Sequence, residues 1–402
     1  MPRQPQRKFV LILLLLLLEG CSHGASLPEA PFHLSPIRSV ELSLPPGDQV
    51  YQDGDRVLFL SSYTLEHPST TVVAFSLNQQ QEEWRVDLPA APVQALRMGS
   101  LYLIATIPSE SSGEAYIGAL SMSGDLIWVR PWGQTMAAVG SDGERIWVAW
   151  EQGIAQIDPE TGDPLRSVAV WERASSYGSH RAIASYRSGD QTYLIASAGR
   201  MVFLYREQKD AWESVWSFGS AGRVLEMHPI PTAGAPEWLV LAHSYAYGIG
   251  GDGQVLWRVE NSDYNLDGQP VRCAGENVWA FRNVMSGLYL VDARGVVRSW
   301  RLPGGHAHAG PLPLPFPEHL AFGLRGADLN GDGEDELFVR SADSLLVFDC
   351  QGNLLAFTSV DSSDEKIVTR LRRSRLHQPV IFGQEIIVPG ENGVLYLTLQ
   401  PR

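Results

Sequence analysis

Short apolar runs recur along this chain at a nearly constant interval, and a glycine stands a few residues ahead of each. Gly54 precedes Val57-Leu58-Phe59-Leu60, Gly99 precedes Leu101-Tyr102-Leu103-Ile104, and Gly143 precedes Ile146-Trp147-Val148. Gly189 then precedes Tyr193-Leu194-Ile195, Gly234 precedes Trp238-Leu239-Val240, and Gly275 precedes Val278-Trp279. Gly333 before Leu337-Phe338-Val339 and Gly383 before Ile386-Ile387-Val388 complete the series. The steps are 45, 44, 46, 45, 41, 58 and 50 residues, with a mean of 47. Runs this short, set off by turn-forming glycine, predict strands, and no helical periodicity longer than about two turns interrupts them.

A second series runs in the same register. Trp84, Trp128, Trp216, Trp257 and Trp300 close further strands, at steps of 44, 88, 41 and 43 residues. The double step skips one repeat, where Arg166 takes the slot four residues after Gly162, as Trp128 follows Gly124 and Trp257 follows Gly253. Ser123-Gly124-Asp125, Asp252-Gly253-Gln254 and Gln351-Gly352-Asn353 are tight hairpin signals. Four strands per 40–50 residues, repeated radially, predict an all-β fold: a single β-propeller over residues 38–402, with eight four-stranded blades or, as the alternative, seven. Stacked sandwich domains would need about 100 residues each.

The repeats resemble two related families. Asp158-Pro159-Glu160-Thr161-Gly162 and Asp252-Gly253-Gln254-Val255-Leu256-Trp257 look like the pyrroloquinoline-quinone-type (PQQ-like) propeller repeat. Asp328-Leu329-Asn330-Gly331-Asp332-Gly333-Glu334-Asp335-Glu336-Leu337 looks like an FG-GAP (VCBS, integrin-α type) repeat. Together the resemblance covers about residues 50–400, and it speaks to fold more than to activity.

The second of these segments carries the strongest site motif. Asp328, Asn330 and Asp332 alternate along a loop that Gly333 can turn sharply, followed by the carbonyl of Glu334 and the carboxylate of Glu336. Alternate side chains on a curling loop converge, and calcium takes six to eight oxygens at about 2.3–2.6 Å. The resemblance assigns a structural Ca²⁺ to these five residues. Asp263-x-Asn265-x-Asp267-Gly268 repeats the first half of the pattern, but Val271 in its ninth position supplies no ligand.

The N-terminus changes the picture of where such a ring works. Arg3, Arg7 and Lys8 precede an apolar run from Phe9 to Leu18, too short to span a bilayer and laid out as an export signal. Leu18, Gly20 and Cys21 resemble a bacterial lipobox, with Glu19 as a departure. That resemblance makes residues 1–20 a lipoprotein signal peptide and Cys21 the acylated first residue, with 21–37 a Ser/Gly/Pro-rich tether. Ser22 in place of Asp leans toward the outer membrane, if the source has one.

Composition narrows the partners. With 31 Lys and Arg against 45 Asp and Glu, the net charge of −14 repels nucleic acid. Beyond Cys21 only Cys273 and Cys350 remain; an oxidising envelope permits a bridge between them, but they fall at different points of their repeats, so two buried thiols are the favoured expectation. His306 and His308 lie in a Gly/Pro-rich insertion, 302–320, that reads as an exposed loop and a candidate contact surface. Trp132, Trp150, Trp171 and Trp212 lie off the repeat register and read as packing, with sugar stacking as the alternative. No Gly-x-Ser-x-Gly, His-Glu-x-x-His, Gly-x-x-x-x-Gly-Lys or Cys-x-x-Cys occurs.

These readings converge on an exported, lipid-anchored, non-enzymatic, monomeric propeller of the bacterial cell envelope. It is expected to be stiffened by calcium and to present loops to an envelope protein partner, with no catalytic or cofactor residues. In architecture it resembles the propeller scaffold of the outer-membrane barrel-assembly machinery. The alternatives are a polysaccharide-binding propeller and a propeller glycoside hydrolase or lyase.

Overall fold

The computed structural model describes residues 30–44, 49–61, 69–108, 113–171, 181–209, 211–230, 236–283, 287–292, 295, 297–301, 323–340, 344–359, 378–390 and 393–402. The described residues form strands and turns without helix, arranged as eight four-stranded blades in a ring. Blade 1 runs Val50–Asp53, Arg56–Phe59, Thr71–Ser76, Gln81–Asp87, each strand antiparallel to the last. Blades 2, 3 and 4 repeat the pattern from Pro92, Ala138 and Arg181, and blade 7 repeats it from Leu324.

Blades 5 and 6 are joined. The 19-residue strand Val255–Cys273 pairs with Glu237–Ile249 as the outer strand of blade 5, then with Glu276–Asn283 as the inner strand of blade 6. Glu237–Ile249 in turn supplies two strands, its first half pairing with Val224–Ile230, and Ser244 takes a positive φ of 65° between the halves. Blade 8 closes the ring with both ends of the chain: Val380–Phe382, Glu385–Gly390 and Gly393–Pro401 are completed by Phe32–Glu41. That strand begins inside the stretch 21–37 expected to be a tether, so folded chain starts before residue 38.

The spaced glycines now have a place. Gly54, Gly99, Gly143, Gly189, Gly275, Gly333 and Gly383 all fall between the first and second strands of successive blades, and all have φ between 56° and 91°. A Cβ on any of them would meet nothing within 4 Å, so backbone conformation and not crowding selects glycine there. Gly234 lies outside the described residues.

The apolar runs are the second strands, which neighbouring blades cover on both faces. Eight buried clusters form the core, one at each seam between blades. Outer strands are covered on one face only and alternate, as in the exposed and half-buried sequence Gln81–Asp87. Side-chain bonds tie neighbouring inner strands together at three seams: Gln94 bonds both the N–H and carbonyl of Val139, Ser185 donates to Ser141 O, and Gln52 donates to Ile381 O.

Candidate functional site

The acidic loop 328–336 is the first turn of blade 7, and its side chains close it on itself. Asp328 accepts the N–H groups of Gly331 (2.6 Å) and Gly333 (3.0 Å), Asn330 Oδ1 accepts that of Asp332, and Asp332 accepts that of Glu334. Buried Glu336 accepts the N–H groups of Leu329 and Asn330, and the Asn330 amide donates to its other oxygen at 2.8 Å. Burial pushes the Glu336 carboxyl up to about 7, the two backbone N–H groups oppose this, and the charges of Asp332 and Asp328 add to it. The donor types suit calcium. In this geometry they serve the loop's own N–H groups, and among the described residues no three His, Cys, Asp or Glu side chains gather closely enough to hold an ion.

The loop is docked on the preceding blade. Asp335 accepts the N–H of Arg272 (2.7 Å) and donates its own to Arg272 O (2.9 Å), while Glu334 accepts that of Gly275 (3.0 Å). Between these anchor points lies Cys273, bonded to Cys350 of blade 7. The two expected thiols are therefore a disulfide. Cys273 ends an inner strand and Cys350 sits in an outer hairpin, different points of the repeat, but both points lie on the same face of adjacent blades.

The second acidic pattern, Asp263-x-Asn265-x-Asp267, lies within the long strand that joins blades 5 and 6, not in a loop of its own. Asn265 is buried and donates to Ala242 O. Asp267 takes a positive φ of 56° and its carboxylate is held by the guanidinium of Arg282 at 2.6 Å and by the amide of Gln378 at 2.7 Å. Burial raises its carboxyl, more than Arg282 lowers it, and Glu226 raises it further. Glu226, half-buried on the inner strand of blade 5, accepts the N–H groups of Asp267 and Gly268 and bonds His228 at 3.2 Å. Burial alone would raise the Glu226 carboxyl, but His228 and these N–H groups hold it below the usual range. Arg325 of blade 7 donates to Gln378 and completes the group. Four blades thus meet through one polar network, with Glu226, Asp267 and Arg325 on inner strands, Arg282 on the second strand of blade 6 and Gln378 just ahead of blade 8. Sequence reasoning missed it because its members are scattered over 152 residues of chain, from Glu226 to Gln378.

At four seams the register tryptophan of one blade covers a hairpin glycine of the next: Trp84 on Gly124, Trp128 on Gly162, Trp216 on Gly253 and Trp257 on Gly295. Three of these indoles also donate across the seam, to Met122 O, Pro159 O and Gly251 O. Between blades 3 and 4 the arrangement is ionic. Arg166 donates to Glu207 at 2.8 Å, Arg145 binds both oxygens of Glu207 at 2.6 and 2.7 Å, and Lys209 replaces the hairpin glycine with φ 51°. Burial alone would raise the Glu207 carboxyl, but the two guanidinium groups outweigh it and hold it below the usual range. A polar cleft of about 840 Å³ opens here, lined by Glu144, Arg145, Arg187, Asp190, Glu207 and Lys209 among others.

The off-register tryptophans are packing residues. Trp132 and Trp171 are buried, Trp150 meets Trp132 edge-on at 5.1 Å, and Trp212 meets Trp147 at 6.1 Å. Cys21, His306, His308 and the insertion 302–320 lie outside the described residues.

No family profile matches the chain, and no curated protein matches it in sequence. Solved structures do match in fold. BamB from Moraxella catarrhalis is 12% identical with a TM-score of 0.51, over 91% of this chain and 97% of that one. The C-terminal WD40 domain of Sif2 is 12% identical with a TM-score of 0.57, over 91% and 98%. The dihydro-heme d1 dehydrogenase NirN is 12% identical with a TM-score of 0.59, over 90% and 78%. At these identities the likeness is one of fold, a β-propeller.

Proposed function

We propose that this propeller is an exported, lipid-anchored, non-enzymatic protein-interaction scaffold of the bacterial cell envelope, stiffened by a structural calcium ion at Asp328–Glu336. What carries the reading is the use made of the charged groups. Glu226 with Gly268, Asp267 with Gln378, and Glu207 with Arg145 and Arg166 bind different blades to one another, which builds a rigid ring. A rigid ring with variable connections suits recognition by loops. Asp267, the one buried carboxylate beside Glu226, is held by a guanidinium, which weighs against a hydrolase acid–base pair. The packed off-register tryptophans weigh against a sugar platform. BamB and WD40 domains share the fold, and the Cys273–Cys350 bridge supports an oxidising, exported setting.

Crosslinking in intact cells, then affinity purification of the acylated protein and mass spectrometry, tests the scaffold. Enrichment of one envelope protein complex is expected. A protein-free preparation carrying glycan would replace the scaffold by the polysaccharide reading.

A further inference from the structure

The chain enters the ring on one identifiable face. Phe32 lies opposite Pro401 and Glu41 opposite Gly393, so the start of the entry strand sits beside the end of the last strand. That end neighbours the turn around Gly383, because Thr398 pairs with Glu385 and Glu385 with Phe382. Pro31 O accepts the N–H of Arg402 at 3.0 Å, and Ala30 is buried, so ordered packing begins at this corner. The entry face is the one formed by the first-to-second and third-to-fourth turns of every blade.

That turn face is acidic. Asp55, Asp125, Asp142, Asp190, Asp252 and Asp328 stand in these turns on six blades; among the described positions Arg145 and Lys209 stand there too, and Arg402 ends the chain beside the entry strand. Among the described residues the opposite face carries both signs, with Arg200 and Arg223 as well as Glu114 and Glu151.

We propose that the turn face is the lipid-facing side of the anchored protein, held off anionic headgroups by its acidic turns, and that the opposite face is presented to partners. This rests on the acylation of Cys21. Residues 22–29, however arranged, let Ala30 stand no more than about 30 Å from Cys21 at about 3.4 Å per residue. The entry strand has 10 residues and rises about 30 Å over its steps of about 3.3 Å. For the opposite face to lie on the bilayer, the tether would have to stand almost fully extended along that whole height, which costs nearly all its conformational freedom. Acidic groups are repelled by anionic headgroups only within a Debye length, about 8–10 Å. The tether is longer than that, so the acidic face stands near the bilayer without adhering.

The test uses full-length acylated protein in phosphatidylcholine vesicles with one-fifth phosphatidylglycerol and an energy-transfer acceptor on lipid headgroups. Gln384→Cys places a donor dye on the turn face and Ser43→Cys places it on the opposite face, both at exposed positions beside the entry strand. Transfer from position 384 is expected to exceed that from position 43 several-fold, and a Gly/Ser insertion of about twenty residues after Ser26 should bring the two together. Equal transfer, or more from position 43, overturns the orientation. Binding of Cys21→Ser protein to the same vesicles overturns the stand-off. A chain that carries no acyl group by intact mass, or fails to float with vesicles, overturns the anchor itself and the orientation with it.

Discussion

Trp84 in the outer strand of blade 1 covers Gly124 of blade 2 so closely that a Cβ on the glycine would lie 2.7 Å from Cγ and Cδ2 of the indole. The contact joins the two repeating series of the sequence, since the tryptophan of one repeat requires the hairpin glycine of the next. Gly124 also has φ 86°, so two separate constraints select it.

Gly99 supplies the control, because it has φ 56° and open space around its Cα. Gly99→Ala should cost about 1 kcal/mol from backbone strain alone. Gly124→Ala should cost about 2–4 kcal/mol, since overpacking against Trp84 adds to the strain. Urea unfolding of the two variants measures the difference, and equal losses would show that the seam yields.

Asp267 and Arg282 are both buried, with side chains 5% and 4% exposed, so removing either takes a close opposite charge away from the other. Asp267→Asn keeps a residue that tolerates positive φ, and should still cost about 3–5 kcal/mol. Arg282→Met should cost a similar amount. The double variant should cost less than the sum by more than about 1 kcal/mol in a denaturation cycle, whereas additive losses would mean that the pair does not act as a unit.

Glu207 gives stability a pH dependence at the seam between blades 3 and 4. Its folded carboxyl is held below the usual range, so its contribution is present above the unfolded pKa of about 4.3 and is lost as pH falls through the folded value. Wild-type protein should therefore be more stable than Glu207→Gln at pH 7, with the gap closing below pH ~4. Denaturation midpoints across pH 3–7 measure this, and a constant gap would assign the loss to packing.

The calcium proposal predicts that EDTA lowers the melting temperature of the mature domain and that Ca²⁺ restores it. Asp332→Ala should abolish that response while leaving the fold intact by circular dichroism. An unchanged melt, with no Ca²⁺ seen by native mass spectrometry, would reject the site and leave loop 328–336 a turn closed by its own hydrogen bonds.

The calcium pattern illustrates how far local sequence reaches. Asp328-x-Asn330-x-Asp332 and Asp263-x-Asn265-x-Asp267 read alike in the chain. The first is a turn whose side chains bond its own backbone; the second lies in a strand whose Asp267 meets Arg282 and Gln378. The spacing of donors is a local property, but which groups lie opposite them is not.

The sequence by itself determined the propeller repeat, with eight blades ahead of seven, and the place of the recurring glycine turns. Those depend on local requirements repeated in register: positive φ at Gly54 and its counterparts, and continuous apolar runs in strands covered on both faces. Tertiary structure decided what meets across a seam. Cys273 and Cys350 are 77 residues apart and at different points of their repeats, and Glu226, Asp267, Arg282, Arg325 and Gln378 come from four blades. Such contacts are set by the closure of the ring, which brings every inner strand to one axis and every turn of one kind to one face. No window of sequence contains that geometry.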